Sequence, residues 1–104
     1  MPLHNMTPAE LKTALDADDI LLIDVREPHE FEAESIQGAV NYPLSTFDPG
    51  TLPSEDGKYL VLSCAGGVRS VRAAEACVAA GLEVDHHLAG GINAWKAAGL
   101  PTIR

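Results

Sequence analysis

The sequence predicts an α/β fold in which a parallel sheet carries helices on both faces. Three observations predict it. The apolar runs Ile20 to Val25 and Tyr59 to Leu62 have the length and content of strands buried on both sides. Helix-length segments of about ten residues alternate with such runs, as βαβ units require. Glycine punctuates the boundaries: Gly81 follows an alanine-rich stretch, and Gly90-Gly91 precede a last helical one.

The elements follow in order. Thr7-Pro8-Ala9-Glu10 reads as a helix start, with Thr7 as cap, Pro8 at the first position and Glu10 completing a capping box. That helix runs to about Leu15, and Asp16 to Asp19 form a polar loop. Ile20 to Val25 is a strand, and Pro28 opens a short helix to about Glu34 anchored by Phe31. Gly38 to Tyr42 is a short strand. Pro43 to Lys58, with three prolines and two glycines, is mostly loop with one helical turn near Leu44. Tyr59 to Ser63 is a strand and Ser70 to Ala80 a helix closed by Gly81. Glu83 to Leu88 is a further strand, and the last helix runs through Trp95 to Ala98. Right-handed crossovers place the strand C-termini on one edge, where ligands bind in sheets of this kind.

The 104 residues fit one domain over residues 1–104. A hydrophobic content of 46% is enough for a packed core, and no low-complexity tract argues for disorder. The net charge of −8, with only seven scattered Lys and Arg, argues against nucleic acid and against an anionic membrane surface. The two cysteines, Cys64 and Cys77, suggest no disulfide framework. The N-terminal residues lack the basic and apolar regions of a secretory signal, and no apolar run approaches the ~20 residues of a membrane span. The expectation is a cytoplasmic protein whose thiols stay reduced.

Cys64-Ala65-Gly66-Gly67-Val68-Arg69-Ser70 is the most informative stretch. A cysteine ends a strand, two glycines and an arginine turn the chain, and a helix begins. Helix N-termini and successive loop N–H groups attract anions, and the Arg69 guanidinium adds a fixed charge. The pattern points to nucleophilic sulfur chemistry at Cys64. A free cysteine is only about 3% thiolate at pH 7. Lowering its pKa to ~6.5 would make about three quarters thiolate, a differential stabilisation of about 2.7 kcal/mol. A helix N-terminus contributes about 0.3–1 kcal/mol, or ~2 in favourable geometry. Arg69 and direct N–H bonds must supply the rest. The alternative for Cys64 is a buried strand-end residue in a structural turn.

Four segments carry a resemblance to a known family. Asp24-Val25-Arg26-Glu27 with Glu30-Phe31 resembles the opening motif of rhodanese domains. Gly38-Ala39-Val40-Asn41-Tyr42-Pro43-Leu44 is similar to the second motif. Cys64 to Ser70 fits the active-site pattern C-x-x-G-x-R-S, and Leu88 to Trp95 resembles the closing motif. The match covers about residues 5 to 102, in the family's order. The resemblance implies a rhodanese-like α/β fold with a five-stranded parallel sheet and a persulfide on Cys64. It implies the thiosulfate:cyanide sulfurtransferase type, moving a sulfane sulfur from a small-molecule donor such as thiosulfate to cyanide or a thiol. Metal and organic cofactors are not required. Cys64 is the catalytic residue, and Ala65, Gly66, Gly67, Val68, Arg69 and Ser70 form the substrate-binding loop. Four residues separate Cys64 from Arg69, whereas cysteine phosphatases carry C-x5-R around a tetrahedral oxyanion. The shorter loop suits one terminal sulfur.

Two positions depart from the family pattern. Glu34-Ser35 stands where many members have Gly-His, and Ala65 stands where thiosulfate-using members often carry a basic residue. Ala65 weakens the case for dianionic thiosulfate as the physiological donor. It motivates a second reading, a persulfide relay serving protein partners with weak thiosulfate activity. A third is a binding module with a vestigial loop, against which the intact Cys64 and loop speak.

Other residues carry alternatives of their own. Arg69 either contacts an anionic donor or shapes the loop by bonding its carbonyls. Ser70 either bonds the thiolate or caps the helix. Gly66 and Gly67 both permit dihedrals that point N–H groups inward. Asp24 and Arg26 read as a structural ion pair near the site. Arg72 and the acids Glu27, Glu30, Glu32 and Glu34 read as solvated. Cys77 reads as a small core residue rather than a resolving thiol. His86 and His87 fall on opposite faces of a strand, which argues against a shared metal. Trp95 reads as core.

Overall fold

The computed structural model describes residues 3–104. Five strands, β1 (His4–Met6), β2 (Ile20–Asp24), β3 (Val40–Asn41), β4 (Tyr59–Ser63) and β5 (His86–Leu88), form one parallel sheet in the order β1-β5-β4-β2-β3. Helices α1 (Pro8–Asp16), α2 (Pro28–Ala33) and α3 (Arg69–Ala79) lie between strands, and α4 (Gly91–Ala97) follows β5. Two short 3-10 turns, Leu44–Thr46 and Pro49–Thr51, lie between β3 and β4. Central β2 and β4 pair along their whole length, from Ile20 against Tyr59 to Asp24 against Ser63. Their C-terminal ends therefore leave the sheet side by side.

Side-chain alternation divides the interior into two layers. Ile20, Leu22, Val61 and Leu88 point to one face, where Leu11 and Ala14 of α1 and Ile92 and Trp95 of α4 cover them. Ile23 and Leu62 point to the other, beneath Ala73, Ala74 and Cys77 of α3. The Trp95 ring is core, and its Nε1–H donates to the Pro101 carbonyl at 2.8 Å. The capping box at Thr7 and Glu10 forms in both directions. Gly81, at φ +82°, ends α3 by the left-handed route.

The differences from expectation have local causes. Strand β1 carries no sequence signal because its first two side chains are exposed at a sheet edge. Its backbone pairs with β5 nonetheless, His4 against His86. The third strand is shorter than residues 38–42 because Gly38, at φ +92°, turns the chain first. The fifth begins at His86 rather than Glu83, although Val84 is already buried in the core. A second 3-10 turn, capped by Asp48, joins the one expected near Leu44.

Gly91 is where the fold is least tolerant of a side chain. It sits at φ +60°, and a Cβ there would collide with the carbonyl oxygens of Cys64 and Ala65, the latter at 2.5 Å. Left-handed geometry costs a non-glycine residue about 1–2 kcal/mol, and overpacking adds about 1–3 kcal/mol. Gly91→Ala is expected to lower the urea midpoint by the equivalent of at least about 2 kcal/mol. Gly99→Ala, at a left-handed position with open space around it, loses only the backbone contribution.

Candidate active site

Cys64 lies directly beyond the C-terminus of β4, and its loop delivers the chain into α3. The loop is held from outside. The carbonyls of Cys64 and Ala65 accept the N–H groups of Ile92 (2.9 Å) and Asn93 (3.1 Å) at the start of α4. Turning those carbonyls outward frees the inner side of the loop for donors. The Gly67 N–H points at Cys64 Sγ at 3.0 Å, and Ser70 Oγ lies 3.5 Å from the same sulfur. Gly67 takes φ +94° and packs against the Gly90 backbone. Gly66 lies outside the left-handed region, and a Cβ there would meet open space.

Helix α3 begins without a side-chain cap, since Val68 stands at its N-cap. Its first N–H groups are therefore free of intrahelical partners and lie beside the sulfur. Burial of Cys64, only 1% exposed, is the largest single influence on its ionisation and works against it. The Ser70 hydroxyl and the backbone N–H groups of Ser70, Gly67 and Arg69 together outweigh that burial and hold the thiol below its ordinary value. Ser70 thus bonds the sulfur and is a residue of α3 rather than its cap. Its hydroxyl also meets His87 Nδ1 at 2.9 Å. Ala65 and Gly66 form the outer turn, and Val68 is 66% exposed at the rim.

Arg69 reaches out of the loop to a carboxylate. Its guanidinium forks onto the Glu30 carboxylate, NH1 to Oε1 at 2.6 Å and NH2 to Oε2 at 2.9 Å. Glu30, expected on a solvated face, is the site residue that sequence reasoning missed. Arg69 beside it holds its carboxyl down to about 2. The neighbouring acids are engaged as well: Glu27 accepts from the Ser45 hydroxyl, and Glu34 from Lys96 and Thr102. Only Glu32 and Arg72 stay exposed on their helices as expected.

Asp24 and Arg26 form the ion pair the sequence suggested. Arg26 donates from Nε and NH2 to the Asp24 carboxylate at 2.8–3.1 Å, with both residues buried. Arg26 NH2 also donates to the Glu34 carbonyl at 2.7 Å, tying the end of β2 to α2. That tie sets Glu30 opposite Arg69. Cys77 is a free, buried thiol in the core, and burial pushes it up. His86 and His87 occupy opposite faces of β5. His86 packs against His4 and Tyr59 with Nδ1 on Asp85, and His87 faces Ser70. Among the described residues no helix is long and apolar enough to cross a membrane.

The fold and loop define a class: a parallel α/β protein presenting a cysteine in a ring of backbone donors at the C-terminal edge of its sheet. Comparison with known proteins narrows it. Residues 7–98 match the Rhodanese-like domain, and the chain belongs to that family. A rhodanese-related protein from Thermoplasma volcanium superposes with a TM-score of 0.83 at 30% identity, covering 96% of this chain and 97% of that one. An uncharacterized protein of Synechocystis sp. is 43% identical over 99 residues, which is 95% of this chain and 55% of the relative. A probable adenylyltransferase/sulfurtransferase of Mycobacterium tuberculosis, MoeZ, is 41% identical over 95 residues, 86% of this chain and 24% of the relative. The chain thus spans about half the length of the first of these two relatives and a quarter of the second.

The Glu30–Arg69 pair makes a prediction about acid. Unfolded, Glu30 takes up a proton near its ordinary 4.5; folded, it stays ionised until about 2. Its contribution is complete above the ordinary value and disappears as pH falls toward 2. Allowing for partial exposure of the pair, that is on the order of 1–3 kcal/mol. Glu30→Gln is expected to be less stable than the wild type at pH 7. The gap should narrow as pH falls from 5 to 3, read as urea midpoints.

Proposed function

We infer that the protein transfers a sulfane sulfur through a persulfide on Cys64. What supports this is the position of Cys64 Sγ, buried at the end of β4 with the Gly67 N–H at 3.0 Å and a thiol held below its ordinary value. The Cys64 thiolate attacks the outer sulfur of the donor. A bond forms between the two sulfurs, and the donor's own bond to that sulfur breaks. The leaving group, sulfite from thiosulfate or a thiolate from an organic persulfide, carries away the electron pair. The outer sulfur of the Cys64 persulfide remains among the N–H groups from Ala65 to Ser70. An acceptor, cyanide or a thiolate, then takes that sulfur and restores the Cys64 thiolate. This is a two-step covalent cycle with no external oxidant. Preorganised N–H dipoles stabilise the charged sulfur without having to turn.

One observation favours the relay reading for the donor. Arg69, the one cation of the loop, is already neutralised by Glu30, and Ala65 adds no charge. A thiosulfate dianion approaching a chain of net charge −8 meets no free cation within the Cys64–Ser70 loop. A thiol persulfide, small or protein-borne, needs only the N–H cradle. MoeZ, which carries sulfurtransferase in its name, matches this chain over a quarter of its own length. A sulfur-handling segment working with other protein segments is consistent with that.

Intact mass tests both statements. A persulfide donor is expected to add one sulfur atom within minutes, and cyanide to remove it. Thiosulfate is expected to load the same atom more slowly. Cys64→Ser should remain folded and gain nothing; a sulfur gain in that variant, or none in the wild type with either donor, rejects the proposal.

A further inference from the structure

Cys64 belongs to a longer line of side chains than the sulfur chemistry uses. Cys64 Sγ lies 3.5 Å from Ser70 Oγ, which lies 2.9 Å from His87 Nδ1. On the far side of the ring, His87 Nε2 lies 2.6 Å from Asn5 Oδ1. The line crosses the sheet from the end of β4 through α3 and β5 to β1. Cys64, Ser70 and His87 are all buried, and His87 is 4% exposed. A buried imidazole linked through one hydroxyl to the nucleophile is otherwise without a task.

Counting donors shows what the line can do. An amide oxygen only accepts, so Asn5 Oδ1 calls for a proton on His87 Nε2. In the neutral ring Nδ1 is then an acceptor and takes the Ser70 hydroxyl proton. That leaves Ser70 Oγ to accept from the Cys64 thiol. Each shared proton can move one place, from Sγ to Oγ and from Oγ to Nδ1. The result is a thiolate, an intact serine hydroxyl and an imidazolium. Every hydrogen bond survives with its direction suited to the new charges, and no heavy atom has to move.

The surroundings leave His87 as the partner. It is faced by Asn5 from β1, Leu62 from β4 and Ser70 from α3, none of them charged. The adjacent carboxylate, Asp85, is engaged by His86 on the opposite face. Around Cys64, the Arg69 guanidinium is committed to Glu30 of α2, and the Asp24 carboxylate of β2 to Arg26. Burial disfavours a charge on His87, so an imidazolium there needs the Cys64 thiolate to offset it.

We propose that His87 is a positioning residue that accepts the Cys64 thiol proton by way of Ser70 and so readies the nucleophile. The proposal rests on Cys64 as the reacting sulfur. The rate of Cys64 alkylation by iodoacetamide, followed by peptide mass across pH, tests it in the wild type, His87→Asn and His87→Gln. The Asn amide still reaches Ser70 but binds no proton. Both variants are expected to move the alkylation midpoint up by about one unit, an about tenfold slower reaction below the midpoint. A purely structural histidine would be rescued by Asn, and a wild-type profile in His87→Asn overturns the proposal.

Should either variant fail to fold, nitrogen-15 NMR of the His87 ring decides. Nδ1 is expected to hold a proton over the pH range in which Cys64 is a thiolate, and to be bare over that range in Cys64→Ser. An Nδ1 that is bare wherever Cys64 is a thiolate overturns the proposal. Alkylation needs no sulfur donor. A protein that shows these shifts yet never loads sulfur would keep the proton relay and lose the proposed function.

Discussion

Two hydrogen bonds from α4 to the Cys64 loop govern the rest of the site. Ile92 and Asn93 donate to the carbonyls of Cys64 and Ala65, and this turns both peptide planes outward. A loop with its carbonyls facing inward would surround the sulfur with negative dipoles and raise its pKa. With them outward, N–H groups face the sulfur, and the uncapped start of α3 adds its own. The arrangement requires two glycine turns to touch, Gly67 against Gly90 and Gly91 against the Cys64 and Ala65 carbonyls. Closing-motif glycines thus belong to the surroundings of Cys64, although they lie more than twenty residues away in the chain.

The same loop shows how an acidic protein can favour an anion locally. Net charge acts over distances that salt screens, about 8 Å at physiological ionic strength. Backbone dipoles act at contact, in a buried setting where they are little weakened. Arg69 does not reverse this balance, because Glu30 cancels its charge and holds it to the wall of the site. Its task in the loop is that of a strut. The buried Asp24–Arg26 pair has the corresponding role behind it, fixing α2 against β2 so that Glu30 meets Arg69. Buried pairs of this kind contribute more to geometry than to net stability.

Much of this was legible in the chain. The apolar runs at Ile20 and Tyr59, the capping box at Thr7 and the glycine after Ala80 are local signals, and each produced the element expected. The strand-cysteine-glycine-helix order placed Cys64 on the C-terminal edge of the sheet. The Asp24–Arg26 pair was also readable, since two opposite charges at the end of an apolar strand need each other. Strand β1 was not readable, because three residues with two exposed side chains have no period to detect. Glu30 was hidden among neighbouring acids; only its place in Glu30-Phe31, between a proline-led helix start and the rim, set it apart.

The sequence by itself determined the layer order, the place of Cys64 at the end of a central strand and the number of residues in its loop, because these depend on short-range pattern and covalent spacing. Tertiary structure decided which groups the loop's charges meet. Arg69 finds Glu30 across 39 positions and His87 finds Asn5 across 82. No local preference encodes such pairs. They arise because the parallel sheet and its crossovers bring residues distant in sequence side by side, where they satisfy one another's hydrogen bonds.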